Sequence, residues 1–343
     1  MIKSKNKING EFELIKKISK KIYSSKDKKP SLWKNVLKGI GDDAAVIKFP
    51  GPNNRLFVTT DMIVEDVHFS LLWSTADEIA MKLSESNISD IVAMAAIPRY
   101  AFLSMSIKPN TSQKFMNCFM KGLMRSFNKH NVLLLGGDTT KGEKYVFNLC
   151  LLGESKKGKF RSGAREKDLI CVTGTLGDSM AGLNLLLEHK KNNSYTKLLH
   201  DRSKKSLLQR HLQPKSRTAQ EGILIGKYAT SMIDVSDGLA SEIRHICDES
   251  SVGAIIYYDK IPISLKTKKI ASMLNSNPVD YALYGGEDYQ LIFTIDKDDI
   301  NKLKKKFKNF KIIGEIVKKK IGCLLSKNGR LSKLHKGGFD HLT

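Results

Sequence analysis

The chain has 343 residues, 41% of them hydrophobic, and a formal net charge of +23, which is length for two domains and apolar content for full cores. No apolar run approaches the roughly 20 residues that span a bilayer, and the basic start MIKSKNKINGEFELIKK has no apolar stretch behind it, so neither a membrane protein nor a secretory leader is expected. The cysteines Cys118, Cys150, Cys171, Cys247 and Cys323 are scattered, odd in number and without C-x-x-C spacing, which suits buried thiols in a reducing cytoplasm.

In chain order, Glu11–Ser24 carries Phe12, Ile15, Ile18 and Ile22 at helical spacing. A Lys/Ser-rich loop runs to Pro30. Strands are expected at Ala44–Phe49, Leu56–Thr60 and near Val67–Phe69, then a helix over Asp77–Ala95. Phe102–Ile107 reads as a strand, and Ser112–Lys129 as a helix capped by Thr111 or Ser112. Strands follow at Asn131–Leu135 and Lys144–Leu152. The polar link G153-ESKKGKFRSGARE166 marks the boundary between domains 1–152 and 153–343. Beyond it come strand Asp168–Thr173, helices Asp178–Lys190 and Glu221–Tyr228, strand Ser231–Asp234 and helix Leu239–Glu249. Strands Ala254–Tyr258 and Gln290–Ile295, helix Asp298–Lys308 and strand Lys311–Ile316 complete an α/β (α+β) chain.

The positive charge is mostly lysine, concentrated at Lys3–Lys38 and Lys302–Lys320. Arginine is sparse, and aromatics do not alternate with the lysines as a base-stacking platform requires. A lysine-rich surface on an enzyme that handles anions accounts for this pattern better than nucleic-acid binding, the alternative from another class.

Against this acid-poor background, short acid-and-glycine signatures recur at strand ends: G41-D-D43, T59-T-D61, N87-I-S-D90, G136-G-D-T-T140, D234-V-S-D-G238 and G285-G-E-D288. Glycine permits sharp turns and close backbone approach. Aspartate offers a short oxygen ligand of the kind Mg2+ takes while sharing phosphate oxygens. Each signature alone also reads as an Asx turn, and D-V-S-D-G as a helix cap with Ser236 or Asp237. The strand–turn–helix V172-T-G-T-L-G-D-S179 offers helix amides to a phosphate, or is an ordinary tight turn. P-loop, protein-kinase, dinucleotide and G-x-S-x-G signatures are absent.

Taken in order, G39-I-G-D-D-A45, T59-T-D61, M62-I-V-E-D-V-H-F69, N87-I-S-D-I-V-A-M94, L135-G-G-D-T-T140, V172-T-G-T-L-G-D-S179, I233-D-V-S-D-G-L239 and Y284-G-G-E-D-Y289 resemble the thiamine-monophosphate kinases. These belong to the aminoimidazole-ribonucleotide-synthetase-like superfamily. G10-E-F-E-L-I15 is similar to the family's opening and K336-G-G-F-D-H341 to its end, so the resemblance spans nearly the whole chain.

The resemblance implies a two-domain fold whose N-terminal sheet dimerises into a shared barrel, with a C-terminal α/β domain closing over the nucleotide. It implies phosphorylation of thiamine monophosphate to thiamine diphosphate by ATP, with several Mg2+ ions, in a cytoplasmic homodimer. It places Asp43, Thr59, Thr60, Asp61, Asp90, Asp138, Asp234 and Asp237 on metal. It places Gly137, Asp138, Arg161 and Ser236 on ATP, and His68, Glu287 and Phe339 on the thiamine phosphate; Asp42 is outside the usual ligand set. The chain departs from the family at Ala95, where glycine is common, and at Ile97, where an acid commonly precedes the proline. Another ATP-using synthetase of the superfamily is the second reading.

Overall fold

The computed structural model describes residues 11–24, 30–49, 55–191 and 204–335. Phe339 and the closing K336-G-G-F motif therefore lie outside the described residues. Two short helices, α1 (Glu11–Tyr23) and α2 (Pro30–Trp33), lead into a six-stranded sheet. Its strands are β1 (Val36–Lys38), β2 (Ala45–Lys48), β3 (Arg55–Val64), β4 (Ile97–Ile107), β5 (Leu133–Lys141) and β6 (Val146–Ser155). They lie in the order β1-β2-β3-β6-β4-β5, antiparallel except for the β4–β5 pair. Helices α3 (Ala76–Ala93) and α4 (Gln113–His130) cover one face; Phe119 of α4 stacks on Phe147 of β6 at 4.3 Å.

A second, seven-stranded sheet contains β7 (Leu169–Thr173), β8 (Ala229–Asp234), β9 (Gly253–Tyr257), β10 (Leu291–Ile295), β11 (Phe310–Val317), β12 (Cys323–Lys327) and β13 (Arg330–Lys333). Its order is β13-β12-β9-β11-β7-β10-β8, with only β9 and β12 parallel. The helices of this half are α5 (Asp178–Lys191), α6 (Lys205–Leu212), α7 (Ala219–Gly226), α8 (Leu239–Ser250), α9 (Leu265–Met273), α10 (Pro278–Tyr284) and α11 (Ile300–Lys306).

Helix α3 positions the site. The Thr75 N–H donates to Glu78 at 2.9 Å and fixes the helix start. Beyond that first turn the helix is buried on nearly every side, including Lys82, Ser84, Glu85, Ser86, Asn87 and Ser89. It is wedged between β3 and β6 on one side and β8 and α7 on the other. Leu83 and Val92 share one apolar core with Phe293 and Phe310 of the second sheet and Leu303 of α11. A helix with no solvated face must find partners for its polar residues inside the protein. After α3, Ala95 sits at φ 52°, a left-handed conformation that costs an L side chain about 1–2 kcal/mol. This explains the glycine common at that position.

Several elements differ from the sequence reading. Strands β3 and β4 are longer than expected, and Val67–Phe69 forms a turn closed by an isolated Glu65–Phe69 bridge. Strand β5 runs through Gly136-Gly137-Asp138 instead of stopping at Leu135. The reason is space: a Cβ on Gly137 would lie 1.7 Å from the Leu103 carbonyl oxygen, so glycine is what lets β5 dock on β4. Helices α6, α9 and α10 were not expected. The last starts at Pro278, a residue suited to a first helical position, behind Asn277, whose side chain accepts from the Val279 N–H.

Candidate active site

The motif Asn87-Ile88-Ser89-Asp90 on α3 binds two strands, β3 and β8. Asn87 Oδ1 accepts from the Asp61 N–H at 3.2 Å, Ser89 Oγ donates to Asp234 at 2.6 Å, and Asp90 accepts from Thr59 Oγ1 at 2.6 Å. One helix turn thereby draws the middle of β3 and the end of β8 together, and carboxylates far apart in sequence converge.

The turn before β2 adds two more acids. Gly41 adopts φ 121°, which a side chain rarely tolerates. Asp42 accepts from the Asp43 N–H at 3.2 Å and the Arg161 N–H at 3.2 Å, and pairs with Lys38 at 3.2 Å. Its oxygens are used in ordering the turn. Asp43 points the other way, receiving Arg161 Nη2 at 2.6 Å and Nε at 3.0 Å on Oδ1. Its Oδ2 is buried and accepts no hydrogen bond.

From the second half, the D-V-S-D-G and G-G-E-D-Y motifs pack against each other. Glu287 N–H donates to the Ser236 carbonyl at 2.7 Å and Tyr289 N–H to Val235 at 2.9 Å. A Cβ on Gly286 would lie 1.9 Å from the Ser236 oxygen, so the glycine is required by this contact. Ser236 and Asp237 do not cap α8. Gly238 takes the cap position without a side-chain bond, and Glu242 receives the Asp237 N–H at 3.0 Å and Ser236 Oγ at 3.3 Å.

Carboxylate oxygens of Asp43, Asp90 and Asp234 all lie within 4.8 Å of one another. Burial pushes Asp43 up to about 7, against the pull of Arg161, and pushes Asp42 and Asp234 up to about 6. Burial and then the neighbouring Asp61, Asp234 and Asp43 hold Asp90 well above the usual carboxylate range. Such a group must hold either shared protons or a cation. The oxygen-only donor set and the bare Oδ2 of Asp43 fit a hard divalent cation.

These acids close one end of a cleft of about 760 Å3, lined there by Asp43, Thr59, Asp61, Asp90, Ser236 and Asp237. The other end is largely apolar, with Phe69, Trp73, Met180, Leu183, Leu187 and Tyr284. A volume of this order suits small organic ligands. His68 and Glu287 line the middle. His68 Nδ1 accepts from the Val64 N–H at 3.0 Å, so the neutral ring carries its proton on Nε2. Glu287 is held by Lys82, whose Nζ lies 2.8 Å from each carboxylate oxygen, and its Oε2 is 3.2 Å from His211 Nδ1. Burial opposes its charge, but Lys82 and His211 outweigh burial and keep the carboxyl below its ordinary range.

The described residues thus gather Asp43, Thr59, Thr60, Asp61, Asp90, Arg161, Ser236, Asp237, His68 and Glu287 around one cleft, with Asp234 beside Asp43 and Asp90. They do not bring in Asp138 or Gly137. In the sheet register Asp61 shares a row with Leu149, Leu103 and Gly137 on the helix-covered face, whereas Asp138 shares one with Ser104, Asn148 and Met62 on the open face. Thr60 alternates with Asp61, and its hydroxyl meets Asn148 at 3.3 Å. In the Gly-rich turn before α5 the Gly177 and Ser179 N–H groups are not offered to a phosphate, because Asp288 already accepts from them at 2.6 and 3.2 Å. Lys82, His211, Asn87 and Glu242 were missed in the sequence. A lysine flanked by Met81 and Leu83 was the one visible signal.

Residues 41–155 match the family described as AIR synthase related protein, N-terminal domain, and residues 165–324 match its C-terminal domain. The thiamine-monophosphate kinase of Buchnera aphidicola subsp. Acyrthosiphon pisum is 40% identical over 337 residues, covering 96% of this chain and 98% of the relative. That of Aquifex aeolicus is 35% identical over 292 residues, covering 85% and 88%. Among solved structures, AaThiL complexed with AMPPCP and TMP superposes with a TM-score of 0.83 at 32% identity, covering 97% of each chain. Both domain matches, full-length identity of this order and the shared architecture lead to one conclusion: the chain belongs to the AIR synthase related family, within its thiamine-monophosphate kinases.

Proposed function

We propose that this chain transfers the γ-phosphoryl group of ATP to the phosphate of thiamine monophosphate, giving thiamine diphosphate and ADP. The observation that carries the reading is the buried Asp43–Asp90–Asp234 cluster at one end of a cleft whose other end is apolar. A cluster of carboxylates repels a triphosphate unless cations lie between them. Asp43, Asp61, Asp90, Asp234 and Asp237, with Thr59, would hold Mg2+, which would supply neutralisation of the charge between two anionic substrates.

The chain's own residues then have defined tasks. The acceptor phosphate has a second pKa of about 6 and is largely dianionic near neutral pH, so no general base is needed. Arg161, half-buried beside Asp43, adds a cation on the nucleotide side, and Ser236 contacts the nucleotide from the loop that Glu242 holds. The Nε2–H of His68 donates to the acceptor phosphate. Glu287 and the apolar end receive the organic part of the acceptor, with Phe339 as a further contact. Residues 1–152 supply most of the metal ligands, and residues 153–343 close over nucleotide and acceptor. The enzyme works in the cytoplasm. Among the described residues no helix is long and apolar enough to cross a membrane.

A second copy of the chain completes the site. The open face of the first sheet exposes Met62, Tyr100, Phe102 and Leu133, a patch of the kind that marks an interface. Asp138 lies on that face. Closing two such faces on each other covers the patch and carries Asp138 and Gly137 toward the other copy's nucleotide end.

The test is an assay with ATP, Mg2+ and thiamine monophosphate, with thiamine diphosphate measured by chromatography. Product is expected with thiamine monophosphate, absent with unphosphorylated thiamine, and absent after chelation; no product across a Mg2+ range overturns the reading. The carboxylates also set a pH signature in the chelated protein. Raised values for Asp42, Asp43 and Asp234 mean that the folded state holds protons the unfolded chain has released above pH 4. Stability from these groups is full below about pH 4 and is lost as pH rises through 6–7. Melting temperature should therefore fall from pH 5 to pH 8, and Mg2+ should restore about 5 °C or more at pH 8 and little at pH 5.

A further inference from the structure

Lys82 makes contacts that the reaction as described does not use. Its side chain is 4% exposed in the middle of α3, yet it carries a charge. A buried ammonium is retained only where its donors are satisfied. Here the donors go to Glu287 Oε1 and Oε2, both at 2.8 Å, and to the His68 carbonyl at 3.1 Å. Three donors and three acceptors use up the group.

The two acceptor segments come from different halves of the chain. His68 lies in the connection from β3 to α3, and Glu287 lies in the loop between α10 and β10. Both line the cleft between its acidic and apolar ends, whereas Lys82 stands behind them, outside the lining. Glu287 adopts φ 61°, a conformation disfavoured for a side-chain-bearing residue, so an external tie must keep it there. His211 Nδ1, 3.2 Å from Glu287 and 3.1 Å from Ser179 Oγ, braces the same carboxylate from α6.

We infer that Lys82 is a positioning residue for the phosphate acceptor: one buried ammonium sets the separation of His68 and Glu287, and with it the width of the acceptor end of the cleft. The inference rests on the proposed reaction. It has a corollary for recognition. With its carboxylate held by an ammonium, Glu287 presents a compensated charge, so an organic cation at this end is selected by fit more than by ion pairing.

The experiment is steady-state kinetics of the purified full chain carrying Lys82→Met, Lys82→Arg, Glu287→Gln and the Lys82→Met/Glu287→Gln pair. Lys82→Met should raise KM for thiamine monophosphate about tenfold or more while KM for ATP changes less than about threefold. Lys82→Arg keeps a donor and the charge, so it should shift KM for the acceptor in the same direction by less, and it serves if the methionine variant fails to fold. The double variant should be no worse than Lys82→Met alone, because both changes cut one tie. Equal rises in both KM values, or additive effects of the two single changes, would overturn the inference. Wild-type chain that makes no thiamine diphosphate would instead sink the underlying reading.

Discussion

Asparagine in place of Asp90 is expected to lower turnover about 10³-fold and to raise the melting temperature of the chelated protein at pH 8. The two effects have one cause. Asp90 lies within 4.8 Å of Asp43 and Asp234, and burial with these neighbours holds its carboxyl well above the usual range. Ionising it in the folded, metal-free protein is therefore unfavourable, while in the unfolded chain it is not. Removing the charge relieves that penalty at pH 8, and the difference should vanish below pH 4, where both states are protonated. Asparagine keeps the shape and a carbonyl oxygen for the Thr59 hydroxyl, now 2.6 Å from Asp90, so packing is preserved. What is lost is an anionic ligand where two polyanions must meet. Differential scanning fluorimetry and steady-state turnover check the pair. An expected gain of about 2–4 °C set against lost turnover separates a functional acid from a structural one, whose removal would lower both.

Mixing two inactive variants should restore activity. Asp61→Asn and Asp138→Asn are each expected to abolish most turnover as homodimers. Asp138 sits on β5, three strand spacings from β3, or roughly 14 Å at the usual inter-strand distance. It also faces the opposite side of the sheet from Asp61. No rotamer brings the two together in one chain, so a shared site must draw them from different copies. Random reassociation of equal amounts places both substitutions in one site of each mixed dimer and leaves the other intact. About one quarter of wild-type activity should return. No recovery, with mixed dimers demonstrated, would place Asp138 outside the reaction or show that each chain works alone. Ultracentrifugation of Phe102→Glu supplies the structural counterpart, since a charge in the open face should yield monomers.

The sequence disclosed the chemistry better than its scaffolding. Asp43, Asp61, Asp90 and Asp234 stood out because each belongs to a short acid-bearing motif, and the α/β alternation placed most helices and strands. Their convergence was not visible. It depends on Asn87 and Ser89 reaching β3 and β8 from a helix that is buried all round. Local glycine rules misled at one place and left another open. Gly136-Gly137 looked like the end of a strand, yet the pair continues β5 because the backbone of β4 leaves no room for a Cβ. The Gly-rich turn before α5 read equally as a phosphate site or an ordinary tight turn, and the second holds, because Asp288 from 111 residues away takes the Gly177 amide. The opening aspartate pair divides as its geometry dictates: Asp42 is committed to Lys38 and to backbone N–H groups, while Asp43 keeps a bare oxygen in the cluster. Lys82 and Glu242 act through loops brought from elsewhere in the chain or folded back on it, and no local pattern announces such a tie.

The most direct measurement follows the phosphoryl group itself. Incubating the chain with γ-³²P-labelled ATP, Mg2+ and unlabelled thiamine monophosphate should place label in thiamine diphosphate, one for one with ADP formed. Label released as inorganic phosphate, with no labelled thiamine diphosphate, would contradict the account and favour synthetase chemistry on the same fold.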